Sequence, residues 1–321
     1  MTQINCCQNL WEVLSRLFQM RDQAERQSQE AMKNGDLAEF GSLVEAMTSD
    51  IAELQKRWEE SFTYTKTGIR LFKRQYEAAL ALHSAITDVD FSILRKGDVN
   101  ASWDSKLVLW VSEDRVEKLE IVNDYQKNDI QLNDVLTDLI AEFASVKSLN
   151  LERVFVLDFS FLTKLLNLEE LKYTHEESND LAELNAVFAG LPKLKKLQLL
   201  LDGRKVWDLA KLARLKLESL EIQDGPGLDI SSLAGMKSLK RLCLDGALDI
   251  SHLPKLTSLE ELELSHWEYE GNFDLAPVLD LPNLKKFIIG EQFLHHIANG
   301  KEIIEYLKKR RIAVEIKQDY I

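Results

Sequence analysis

Eight copies of one six-residue pattern, apolar-x-x-apolar-x-apolar, constrain this chain more than any other feature of its 321 residues. They begin at Val116, Val146, Leu168, Leu194, Leu217, Leu239, Leu259 and Leu284, so successive copies lie 30, 22, 26, 23, 22, 20 and 25 residues apart. One such segment is too short to bury its own apolar side, and the copies must therefore stack and share a core. In extended backbone, side chains alternate between two faces. Positions 1, 4 and 6 then point inward, while positions 3, 5 and often 7 line the opposite face of a parallel sheet.

The period and motifs such as Leu194-Lys-Lys-Leu-Gln-Leu199 resemble the leucine-rich repeat family. Between copies, Leu228-Asp-Ile-Ser-Ser-Leu and Leu248-Asp-Ile-Ser-His-Leu look like the return segments of its short, internalin-like class. The resemblance implies an α/β fold, a leucine-rich repeat solenoid with a curved parallel sheet and a concave binding face. The family's asparagine ladder at position 9 is missing here: those positions hold Asp124, Val154, Glu176, Asp202, Gly225, Ala247 and Trp267. Its bends must find other hydrogen-bond partners, since buried backbone groups are rarely left unpaired.

The outward face predicts two rows across the strands. Position 3 gives Lys118, Ser148, Glu170, Lys196, Ser219, Arg241, Glu261 and Lys286; position 5 gives Glu120, Asn150, Lys172, Gln198, Glu221, Cys243, Glu263 and Ile288. Charges at positions 2 and 3 alternate in sign between neighbouring copies, as in Glu169-Glu170, Lys195-Lys196, Glu218, Lys240-Arg241, Glu260-Glu261 and Lys285-Lys286. With strands ~4.8 Å apart this reads as cross-strand pairing, each pair contributing ~0.2–1 kcal/mol. Two accounts stay open: a self-neutralising face, or one that reads the complementary charges of a partner. The candidate partner-binding residues are Glu120, Lys172, Glu221, Arg241, Glu261 and Glu263, with His266, Trp267 and Tyr269 on the loop after the seventh strand. For Trp267 a ladder-replacing packing role and a hot-spot role fit equally.

Ahead of the repeats, Leu10, Val13, Leu14, Leu17, Met20 and Ala24 recur at helical spacing, Gly35, Asp36 and Glu39 supply a stop and a capping box, and Leu37, Phe40, Val44, Met47, Ile51, Leu54 and Trp58 form an a/d seam. Ile69, Phe72, Tyr76, Leu80 and His83 predict a third helix, hence an all-α antiparallel helical bundle over residues 1–87. Lys66, Arg70, Lys73 and Arg74 would form one solvated cationic helix face. Around the turn Asn34-Gly35-Asp36-Leu37, residues 8–85 resemble the small helical export chaperones of flagellar and type III secretion systems. Residues 88–115 read as a linker with an N-terminal cap strand at 107–111, residues 116–298 as the repeats, and residues 299–321 as a C-terminal cap helix and strand.

Composition closes off other classes. Lys and Arg number 40 against 53 Asp and Glu, a net charge of −13 that argues against a nucleic-acid binder. No window approaches ~18 uncharged apolar residues, so no membrane span is expected. Cys6, Cys7 and Cys243 make neither a disulfide framework nor a metal-ligand spacing, which fits reduced thiols and a cytoplasmic setting. The six histidines include no HExxH, Asp224-Gly225-Pro226-Gly227 is no phosphate loop, and no nucleophile has a visible base. No catalytic residue, cofactor or metal is expected. The expectation is a non-enzymatic protein-protein interaction module, a scaffold or adaptor, holding a basic or mixed-charge protein partner on the concave face. The alternative is a secreted bacterial effector or secretion-linked chaperone-like protein that uses the N-terminal hairpin.

Overall fold

The computed structural model describes residues 56–86, 89–98, 105–124, 130–174, 190–200, 212–223, 230–246, 249–265 and 273–318, with a few isolated positions besides. The helices expected over residues 10–55 lie outside the described residues, apart from scattered helical positions. The chain divides into two compact units, residues 1–76 and 77–321.

In the first unit the expected third helix does not form as read. Residues 56–60 are helical, then strands β1 (Phe62–Tyr64) and β2 (Arg70–Phe72) pair antiparallel as a hairpin. Phe62, Thr63 and Tyr64 before the turn, and Ile69, Leu71 and Phe72 after it, are the aromatic and branched residues that suit a pleated surface. Gly68 takes φ 75° in the turn, and the Thr65 hydroxyl accepts the Ile69 N–H at 3.0 Å. Trp58, Phe62 and Phe72 pack ring on ring, with centroids 4.6–5.9 Å apart. The periodicity from Ile69 to His83 is thus split between a strand and helix α1 (Lys73–Ala85), and α1 buries Gln75, Ala78, Ala79 and Leu82 while Leu80 is exposed. The cationic stripe is corrected too: Lys66 sits in the turn, Arg70 in β2 beside Glu59 at 3.2 Å, and only Lys73 and Arg74 belong to the helix.

In the second unit the repeats form one sheet. Its strands are β3 (Asp90–Arg95), β4 (Lys106–Ser112), β5 (Arg115–Val122), β7 (Ser148–Glu152), β9 (Glu170–Thr174), β10 (Lys196–Leu200), β11 (Ser219–Gln223), β12 (Arg241–Asp245), β13 (Glu261–Ser265), β14 (Lys286–Gly290) and β15 (Ala313–Lys317), lying side by side in that order. All neighbours are parallel except β4 and β5, which form a hairpin. β4 pairs with β5, and β3 adds a further strand outside it; β3 and β4 both lie within residues 88–115. His83 of α1 stacks on Phe91 of β3 at 4.6 Å.

Register follows the pattern without a slip. Position 4 runs Leu119, Leu149, Leu171, Leu197, Leu220, Leu242, Leu262, Phe287 across eight paired strands, and none of these is more than 2% exposed. Each buried side chain of this size contributes ~1.5–3 kcal/mol, and a one-residue slip would turn a whole strand's leucines to water. A bifurcated backbone link recurs between repeats: the Glu218 carbonyl accepts both the Lys240 and Arg241 N–H groups at 2.9 and 3.0 Å, and the Lys240 carbonyl accepts those of Glu260 and Glu261.

The return segments hold their own backbone through short polar side chains. They are short 3-10 turns, including Phe159–Lys164, Leu253–Lys255 and Ala276–Asp280, opened by an aspartate that accepts the N–H two residues on. Asp158 accepts from Ser160 at 2.7 Å, Asp249 from Ser251 at 2.8 Å and Asp274 from Ala276 at 2.9 Å. Just before position 1, Asn167 and Asn283 donate to carbonyls of the preceding repeat, Ala144 and Thr257. The first repeat departs from this form: its return carries β6 (Ile130–Leu132), paired with β8 (Val154–Val156), and helix α2 (Asp134–Ala141) capped by Asn133. Beyond β14, α3 (Glu291–His295) and α4 (Gly300–Lys309) lead into β15.

Candidate functional site

The outward rows line up across the strands in the expected register, and ion pairs join neighbouring copies. At position 2, Lys147 reaches Glu117 at 2.6 Å, Lys195 reaches Glu169 at 3.1 Å, Lys240 reaches Glu218 at 3.3 Å and Lys285 reaches Glu260 at 2.7 Å. The Glu117 carboxyl is pulled up by burial, but the hydrogen bonds and charges of Lys147 and Lys96 outweigh that and hold it below its usual range.

The densest part is centred on Arg241 in β12. Its guanidinium donates through Nε to Glu261 at 3.0 Å, through Nη1 to Glu221 at 3.2 Å and through Nη2 to Glu263 at 3.2 Å, joining β11, β12 and β13. Burial opposes the charged guanidinium, yet its hydrogen bonds to Glu261 and Glu221 prevail and raise its pKa. Glu221 also accepts from Gln198 and Gln223, each at 2.9 Å, and Glu263 from Lys317 of β15 at 2.5 Å. One strand further, Lys286 pairs with Glu315 at 2.9 Å. Cys243 lies within this group as a buried free thiol, its pKa driven far up by burial and then by the charges of Glu263 and Glu221. A thiol so protonated is no nucleophile.

Of the expected site residues, Glu221, Arg241, Glu261 and Glu263 come together. Glu120 and Lys172 do not join them: Glu120, almost buried, is bound by Lys118 at 2.7 Å and Lys106 at 3.5 Å, and Lys172 binds Glu152 at 2.7 Å. Lys118 also sits over the Trp110 ring, 4.5 Å from its centre. His266, Trp267 and Tyr269 lie outside the described residues. Lys317 and Glu315 were missed, and the signal that finds them is the repeat itself: continuing the outward rows into the closing strand places Glu315 beside Ile288 and Lys317 beside Gly290. Among the described residues no group of three His, Cys, Asp or Glu could hold a metal ion, and no helix is long and apolar enough to cross a membrane.

No family model matches the sequence, and no curated protein matches it. Among solved structures the chain is similar to internalin C2 of Listeria monocytogenes, with 20% identity, 63% of this chain and 81% of that chain covered, and a TM-score of 0.41. It is similar to internalin F of the same organism at 19% identity, covering 64% of this chain and 58% of that one, with a TM-score of 0.42. A third likeness is to the mouse RP105/MD-1 complex, at 18% identity over 62% of this chain and 34% of that one, with a TM-score of 0.43.

Proposed function

We propose that this chain is a non-enzymatic protein-interaction module of the cytoplasm, which holds a basic segment of a protein partner on the outward, concave face of its repeats. The observation that carries the reading is the Arg241 fork. One guanidinium ties three carboxylates from two neighbouring strands into a fixed array on the outward face, where Arg241 and Glu261 are about a third exposed and Glu221 and Glu263 are mostly covered. Pre-organised side chains lose little entropy on binding, and each carboxylate has about four lone-pair sites, more than its present donors use. Between β11 and β15 the face carries Glu221, Asp245, Glu261, Glu263 and Glu315 against Arg241, Lys286 and Lys317, five negative groups to three positive. The surplus favours lysine and arginine donors over acidic ones. The acidity of the whole chain points the same way: residues 1–100 carry 12 Lys and Arg against 15 Asp and Glu, leaving 28 against 38 for the rest.

A displayed random-peptide library panned on the full chain tests this. The expected selection is rich in Lys and Arg, and binding of the selected peptides falls at least tenfold in Glu221→Gln/Glu263→Gln, with no change in Glu291→Gln/Glu302→Gln on α3 and α4. Selected peptides without basic enrichment, or ones that bind both variants equally, would refute the face.

A further inference from the structure

We propose that two copies of this chain join edge to edge through β15, antiparallel, so that their sheets run on as one. Among the described residues no strand lies beyond β15 in the sheet. Its Ala313 N–H donates to the Lys285 carbonyl at 2.9 Å, so by the alternation of a strand the N–H and C=O groups of Val314 and Ile316 point to the open side. Such an unpaired row is a template for another strand.

Side chains make the same edge apolar toward the core. Ile316 continues the inward row of Leu264 and Ile289, which are 1% and 0% exposed, yet Ile316 itself is 46% exposed. Among the described residues no further strand covers it, as one covers every earlier member of its row. On α4, which packs against β15, Tyr306 is 51% exposed.

Charge selects both the occupant and its register. A two-fold axis between Ile316 and Ile316 of the second copy places Glu315 opposite Lys317 of that copy, and Lys317 opposite its Glu315, while Val314 faces Gln318. The outward Ile316 groups then form a hydrogen-bonded pair, and the unlike charges fall at the adjacent non-hydrogen-bonded sites, where side chains lie closest. A shift centred on Glu315 would set Glu315 against itself. A shift centred on Val314 would draw in Arg311, whose φ of 64° is not extended. A short strand reading Val-Glu-Ile-Lys is thus self-complementary in one antiparallel register, as a two-fold interface requires.

Sedimentation velocity of the full chain over a concentration series tests the edge. Wild type should pass from monomer to dimer as concentration rises. Ile316→Pro removes an outward N–H and leaves the hydrogen bonds to β14 in place, so it should stay monomeric throughout. Should the proline lower the melting temperature, Ile316→Lys, which sets two ammonium groups across the axis, decides instead and should also be monomeric. A wild type that stays monomeric over the whole series overturns the proposal, and so does a dimer that persists in the folded variants.

Discussion

Arg241 is the residue on which the outward face turns. A planar fork of five donors holds three carboxylates in fixed directions from three separate nitrogens, whereas a lysine's three donors share one nitrogen. Arg241→Ala would leave Glu221, Glu261 and Glu263 facing one another with Lys317 bound to the last of them. Partly exposed pairs contribute ~0.2–1 kcal/mol each, so the expected loss is about 1–2 kcal/mol in urea unfolding, with Arg241→Lys recovering less than half. High salt should narrow the gap by screening the carboxylates. An unchanged unfolding midpoint in Arg241→Ala would show that the fork contributes nothing to the fold. Sequence spacing brought these four residues to adjacent strands, but it could not say that one side chain touches all three others. Three-way contact depends on rotamers that only packing selects.

At the scale of the elements, the β4–β5 hairpin carries an unusual turn. Ser112 pairs with Arg115 across a two-residue loop, and the loop residues Glu113 and Asp114 both have positive φ, 49° and 63°. The hand of the turn matches the twist of the strands, but Asn-Gly is the pair that adopts it readily. L-residues other than Gly, Asn and Asp pay ~1–2 kcal/mol in this region. Glu113→Asn should therefore raise stability by ~0.5–1 kcal/mol, read as a higher urea midpoint; a lower midpoint would mean that Glu113 makes a compensating contact. The turn was not legible in the sequence, since Glu-Asp carries no hairpin signal. The β1–β2 hairpin was misread for a related reason. Apolar residues at 69, 72 and 76 satisfy a helical spacing, yet Gly68 and the aromatic and branched residues around it close a strand pair first.

At the scale of the molecule, the repeat ladder makes stability depend on acid. Burial pulls the Glu117 carboxyl up, but its lysines hold it below its usual range, and hydrogen bonds lower the carboxyls of Glu260 from Lys285, Glu315 from Lys286 and Asp158 from Ser160. A carboxyl that titrates lower when folded adds stability that is present above its unfolded pKa and lost as pH falls through its folded value. Unfolding free energy should therefore drop below about pH 4.5, while relief of the −13 net charge acts the other way on the approach to the pI near 5.1. Glu117→Gln combined with Asp158→Asn should flatten the acid limb of urea midpoints measured against pH; an unchanged limb would assign the acid loss to other groups. The sequence by itself determined the repeat count, the inward leucine rows and the cross-strand register, because a period of two along each strand and of about 20–30 residues between strands leaves one way to bury the leucines. Only the tertiary structure decided which charges share a partner, which aspartates and asparagines bind the backbone of the return segments, and that β15 ends the described sheet with Ile316 half-exposed, because these depend on contacts between side chains and backbone groups that the repeat spacing does not fix.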